Sequence, residues 1–181
     1  MKRALILLCG KSGCGKTSVA NELVKRGLTQ VSSYTTRDKR SDDENGHTFV
    51  SVEDFPFNDL VAYTFFNNQH YGATQQQCDE ADIYVVDKQG IIELKEKYKS
   101  TRKVITVMLY TSEEELVERM LKRGDSDEVI HSRIINDIKE FANIHLLADY
   151  TTENIELKDT SDYIYDIWVD NSFDLKREGK A

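Results

Sequence analysis

An α/β fold built on a parallel sheet is what this 181-residue chain predicts. Two observations carry the prediction. Apolar runs of strand length alternate with amphipathic stretches of helix length, and a glycine-rich turn followed by a helix comes straight after the first run. Strands alternating with helices are the pattern of a parallel sheet flanked by helices. The length suits a single domain with a sizeable core.

Ala4 to Cys9 is a continuous apolar run and reads as a buried first strand. With Met1-Lys2-Arg3 before it, the start mimics a signal peptide. The run is only six residues before Gly10-Lys11 interrupts it, too short for a secretory or membrane segment. Lys16 to Lys25 reads as a helix, with Val19, Leu23 and Val24 on one face. Residues 32 to about 80 are more polar, with apolar bursts at Thr48 to Val52 and Val61 to Phe66 and a turn at Asn45-Gly46. This stretch reads as a strand-rich insertion. The alternation then resumes with a strand at Ile83 to Val86, a helix at Gly90 to Tyr98 and a strand at Val104 to Leu109. Ser112 followed by Glu115 is the pattern of a capping box, and that helix should end near Arg123-Gly124. Ile130, Ile134, Ile138 and Phe141 mark a further amphipathic helix. Asp149 to Thr152 reads as a weak last strand, Ser161 to Val169 as a closing helix, and Lys176 to Ala181 as a frayed tail.

The chain has 32 acidic and 24 basic residues, a formal charge of −8. Such a chain is a poor general binder of nucleic acid or membrane, so an anionic ligand must be met by a local basic cluster. The three cysteines (Cys9, Cys14, Cys78) and four scattered histidines show no zinc spacing. A reducing cytoplasm is the expected compartment.

Gly10-Lys11-Ser12-Gly13-Cys14-Gly15-Lys16-Thr17 fits the phosphate-loop pattern G-x-x-x-x-G-K-[ST], between a strand and a helix. Glycines let backbone N–H groups wrap an anion, and the helix N-terminus adds a favourable field. The pattern assigns the ATP phosphates to Gly10, Ser12, Gly13, Cys14, Gly15, Lys16 and Thr17. Lys16 reaches the β- and γ-phosphates, and the Thr17 hydroxyl ligates Mg²⁺. Ile83 to Asp87 is an apolar strand ending in an acid. That arrangement places the Asp87 carboxylate near the water shell of the metal. Cys14, inside the loop, reads as a small filler, with redox sensitivity as the alternative.

Ser33-Tyr34-Thr35-Thr36-Arg37-Asp38-Lys39-Arg40, then Asn45-Gly46, then Phe49-Val50-Ser51, resembles the guanylate kinase signature S-x-T-T-R-x-x-R, N-G, F-V-S. Tyr71-Gly72, Asp87-Lys88-Gln89-Gly90 and Arg119 to Gly124 resemble that family's Y-G, D-x-Q-G and R-x-x-x-R-G steps, in the same order. The resemblance implies a three-part kinase. Its core would comprise residues 1–31, 81–120 and 141–175, with an inserted monophosphate-binding subdomain at about 32–80 and a helical lid at about 121–140. It implies that Arg37 and Arg40 grip the acceptor phosphate, that Tyr71 bonds to it, and that Ser33 and Asp87 lie at the acceptor. Arg119, Arg123 and Arg133 would join Lys16 as catalytic groups on the transferring phosphoryl group. The plainer alternatives are pairing of Arg119 with Glu115, and of Arg37 and Arg40 with Asp38, Asp42 or Asp43. ATP and Mg²⁺ are the implied cofactors and GMP the family acceptor, for a monomer or homodimer.

The chain also departs from the family. Ala62 stands where the family carries a guanine-reading Glu, nine residues before the tyrosine of Y-G, and Ala73 stands in place of a Ser or Thr. Val85 replaces the first acid of D-x-D, and the phosphate-binding Tyr after N-G is missing, with Phe49 nearest. The phosphate grip is kept while the base-reading set is depleted. Weak GMP binding, or another nucleotide or a sugar phosphate as acceptor, is therefore the second expectation. A non-catalytic guanylate-kinase-like binding module is the third.

Overall fold

The computed structural model describes residues 3–39, 46–66 and 68–173. In chain order the elements are β1 (Leu5–Cys9), α1 (Lys16–Lys25), β2 (Ser33–Thr35), β3 (His47–Phe49), β4 (Leu60–Phe66), β5 (Gln69–Thr74), α2 (Gln75–Glu80), β6 (Ile83–Val85), α3 (Lys88–Lys97), β7 (Val104–Tyr110), α4 (Glu113–Lys122), α5 (Asp127–Glu140), a 3₁₀ turn (Ile144–Leu146), β8 (Tyr150–Glu153) and α6 (Leu157–Ser172). Four strands form a sheet in the order β6-β1-β7-β8, and every pairing in it is parallel.

β1 lies at the centre of the core because all five of its residues are apolar and buried. Side chains alternate across a strand, so β1 feeds two separate cores. Ile6 and Leu8 pack with Val19, Leu23, Ile164 and Trp168 from α1 and α6. Leu5, Leu7 and Cys9 pack with Ile91 and Leu94 of α3 on the other face. Burying a Leu or Ile side chain is worth about 1.5–3 kcal/mol. An all-apolar strand is stable only with helices on both faces, and this chain supplies them.

The second sheet lies within residues 33–74, in the order β3-β2-β5-β4. β3 pairs with β2 in parallel, and β5 pairs antiparallel with both β2 and β4. The β4–β5 hairpin turns at Asn68, which has a φ of 58°.

Four helices have side-chain N-caps: Thr74 on α2, Asp87 on α3, Ser112 on α4 and Ser126 on α5. Two details differ from the sequence reading. At Ser112 only one arm of the expected box forms, accepting from the Glu115 N–H, because the Glu115 carboxylate pairs with Arg119 at 2.7 Å. α6 begins at Leu157 rather than Ser161, in a first turn braced by the Lys158–Asp162 ion pair at 2.6 Å.

Candidate active site

The phosphate loop lies between β1 and α1. Gly10, Gly13 and Gly15 all have positive φ. A Cβ on Gly10 would collide with the Leu109 carbonyl and Cys14 Sγ, and one on Gly15 would collide with Asn154 Nδ2. Only glycine fits at either position. Gly15 N-caps α1 without a side chain, and the first turn carries no acid. The leading N–H groups of α1 therefore keep their capacity for an anion. Lys16 Nζ bends across the loop mouth, donating to the Gly10 carbonyl at 2.6 Å and the Lys11 carbonyl at 2.9 Å. Cys14 is fully buried beneath the loop, as its reading as a filler expects. Behind the loop, Asn154 Nδ2 donates to the Cys14 carbonyl at 2.8 Å. Asn154 Oδ1 is buried with no hydrogen-bond partner.

A cavity of about 880 Å³ opens over this loop. Lys16 and Thr17 line one wall, Arg119, Arg123 and Arg133 another, and Arg37, His47 and Tyr71 the far end. Residues distant in sequence thus share one space. Arg119 is held from two sides: Nε donates to Glu115 at 2.7 Å and Nη2 to the Asn154 carbonyl at 2.9 Å. The plainer pairing with Glu115 is therefore real, and Arg119 lines the cavity as well. Arg123 pairs with Asp125, and Arg133 approaches the same carboxylate at 3.6 Å.

A smaller cavity of about 90 Å³ adjoins the large one, sharing His47, Tyr71 and Val85. Ser33 Oγ and His47 Nδ1 are 2.9 Å apart on its wall. Asp87 lines this smaller cavity and not the one that holds Lys16 and Thr17. Its Oδ1 N-caps α3 through the Gly90 N–H and accepts from Thr64 Oγ1, each at 2.8 Å. The strand-end acid therefore groups with Ser33 and Tyr71 around the smaller cavity, where capping and Thr64 fix its direction. Arg37 donates to the Asp38 main-chain carbonyl at 2.7 Å and lies over the Phe49 ring at 5.3 Å; Asp42 and Asp43, its other expected partners, fall outside the described residues. Arg40 falls outside the described residues. Ala62 and Ala73 are direct cross-strand partners, and both are fully buried.

His47 and Thr64 line these cavities, and motif reading does not single them out, since each is one polar residue with no diagnostic spacing. Thr17 is exposed and lines the main cavity, a placement that fits an Mg²⁺ held chiefly by phosphate oxygens and water. Among the described residues no helix is long and apolar enough to cross a membrane.

Comparison with known proteins gives a consistent result. A family model described as an AAA domain matches residues 6–142. The guanylate kinase of Mycoplasmoides gallisepticum is 32% identical over 172 residues, covering 86% of this chain and 87% of that protein. The guanylate kinase of Clostridium tetani is 31% identical over 180 residues, covering 92% and 85%. The crystal structure of guanylate kinase from Anaplasma phagocytophilum shares the fold, with a TM-score of 0.66 at 22% identity over 92% of this chain and 85% of that one. With a complete phosphate loop, a cavity lined by arginines from three parts of the chain, and these likenesses over most of its length, the chain belongs to the guanylate kinase family of ATP-dependent phosphotransferases.

Proposed function

We propose that the chain transfers the γ-phosphoryl group of ATP to the phosphate of a nucleoside monophosphate, with GMP as the acceptor. What carries the reading is the single cavity in which Lys16 and Thr17 face Arg119, Arg123 and Arg133, with Arg37 and Tyr71 at the far end. Two anionic substrates must meet there, and the five cations offset their repulsion. In this reading the loop N–H groups and Lys16 hold the ATP phosphates, while Thr17 ligates Mg²⁺, which neutralises charge on the phosphate oxygens. Arg37, Arg40 and Tyr71 grip the acceptor phosphate, and Ser33 and Asp87 hold its base end. Arg119, Arg123 and Arg133 stabilise charge on the group in transit. Positioning and electrostatics suffice, and no covalent intermediate is required. Residues 121–140 act as the lid that excludes water. The setting is cytoplasmic, and the partners are small molecules rather than nucleic acid.

A second reading keeps the chemistry and changes the acceptor to another nucleotide or a sugar phosphate. It is favoured by the fully buried, cross-strand pair Ala62 and Ala73 at two positions where the family reads guanine. A site that pairs polar groups with a base discriminates strongly, and one lacking them does not. An ADP-release assay with Mg·ATP decides between the two, using each nucleoside monophosphate and several sugar phosphates as acceptors and Lys16→Ala as the blank. Fast, Lys16-dependent turnover of GMP alone supports the first reading. Fast turnover of another acceptor with GMP slow supports the second. ATP binding with no acceptor phosphorylated would refute both.

A further inference from the structure

Asp137 is a carboxylate with a costly position. It lies on α5 and is buried, with 7% of its surface exposed. Among the described residues no cation pairs with it. Its polar partners belong to one residue of the phosphate loop: the Ser12 N–H donates to Oδ2 at 2.7 Å, and Ser12 Oγ lies 3.4 Å from Oδ1. A buried carboxylate without a cation is expensive unless hydrogen bonds compensate it. Here the compensation comes from the loop that this site offers to phosphate.

The surroundings give the bond a direction. Ser12 lines both the large cavity and a separate apolar cavity of about 530 Å³ between α4 and α5. Asp137 lines only the apolar one, so its charge lies behind the loop. One helical turn earlier, Arg133 lines the large cavity. Residues four apart share a helix face. The same face of α5 thus presents a cation to the cavity and an anion to the back of the loop.

We propose that Asp137 is a positioning residue that ties α5 to the phosphate loop through Ser12, holding Arg133 in register with the loop at a cost in phosphate affinity. The charge-assisted bond fixes the loop's Ser12 N–H and keeps α5 beside it. The same negative charge, one residue from the phosphates, opposes them through a poorly screened interior. The inference rests on assigning the loop to ATP.

The test measures dissociation constants of Mg-free ATP, ADP, AMP and adenosine by calorimetry, together with steady-state kcat and KM for ATP. Wild type is compared with Asp137→Asn, which keeps shape and one acceptor oxygen, and with Asp137→Ser as a smaller neutral variant. Thermal melting confirms that each folds. Asp137→Asn is expected to bind ATP about tenfold more tightly, ADP less so, and adenosine unchanged, with a smaller loss of kcat than Asp137→Ser. Asp137→Ser, which cannot span to the loop, is expected to keep the tighter binding and lose kcat. A merely structural tether would not produce a gain graded by phosphate charge. Unchanged or weaker ATP binding in both variants, or equal tightening for adenosine, overturns the proposal and leaves the nucleotide assignment standing. Wild type that binds no ATP overturns both.

Discussion

Arg102 is the residue whose loss should cost the fold most. It is 9% exposed, and its guanidinium donates to five main-chain carbonyls. Nε reaches Arg3 at 2.6 Å, Nη1 reaches Cys78 at 2.7 Å and Asp79 at 2.8 Å, and Nη2 reaches Ala4 at 3.0 Å and Ala81 at 2.5 Å. Nη2 also lies 3.8 Å from Asp82, which is fully buried. The side chain therefore joins the start of β1 to the end of α2, where the 33–74 sheet returns to the core. Replacing it with Leu leaves five carbonyls short of a donor, at about 1 kcal/mol each at the low end for an unmade bond. Part of this is offset by burying an apolar side chain. Asp82 keeps Arg3 at 3.2 Å and two Thr29 donors, so losing the longer Arg102 approach adds little, and the expected loss is about 4 kcal/mol. With a urea m-value of about 2 kcal/mol/M, the unfolding midpoint should fall by about 2 M. Arg102→Lys should recover only part of the loss, since three donors on a point charge cannot replace a five-donor fork. A midpoint shift of less than about 0.5 M for Arg102→Leu would refute the reasoning.

Two further predictions concern the loop and the buried thiols. Gly15→Ala forces a left-handed φ of 92° on a residue with a side chain, and drives its Cβ into Asn154. Phosphotransfer should fall about a hundredfold or more, and wild-type ADP release from this variant would contradict the need for glycine. Burial pushes the thiols of both Cys9 and Cys78 up to about 12. Below the ordinary thiol pKa, folded and unfolded chains hold these protons equally. Between about pH 8.5 and 12 only the unfolded chain releases them, so stability should drop as pH rises, by about 1 kcal/mol per pH unit per thiol. Urea titrations at pH 8 and pH 10 should show a steeper loss for wild type than for Cys9→Ala/Cys78→Ala, and parallel losses would count against it.

How much of this was legible in the sequence depends on whether a feature is local. The Gly10–Thr17 pattern and the all-apolar Leu5–Cys9 strand are local, and α1 runs over Lys16–Lys25 as read. The spacing of Ile130, Ile134 and Ile138 reveals the helix α5 but not which of them is buried. Ile130 is buried, whereas Ile138 is 58% exposed, because period alone does not say how far round the helix its neighbours reach. Asp87 was legible as a strand-end acid, but its direction depends on Thr64, 23 positions earlier, and on capping α3. His47, Asn154 and Asp137 act through partners 14, 140 and 125 positions away. No window of sequence contains such a pair.

The same distinction explains how an acidic chain can serve two anionic substrates. Net charge at −8 is a property of the whole surface, whereas the cavity collects Lys16, Arg37, Arg119, Arg123 and Arg133 at one place. Acids nearby hold some of those cations in place: Glu115 braces Arg119, and Asp125 lies between Arg123 and Arg133. Each such pair trades some positive potential for a fixed direction, and in a site that works by positioning, direction is worth the loss. Arg123 and Arg133 share one carboxylate although they come from either side of Gly124. Removing Asp125 would therefore free two cations at once, raising the attraction for ATP while loosening the geometry that turns attraction into transfer. Net charge governs which macromolecules the surface repels, and these few pairs govern what the cavity can hold still.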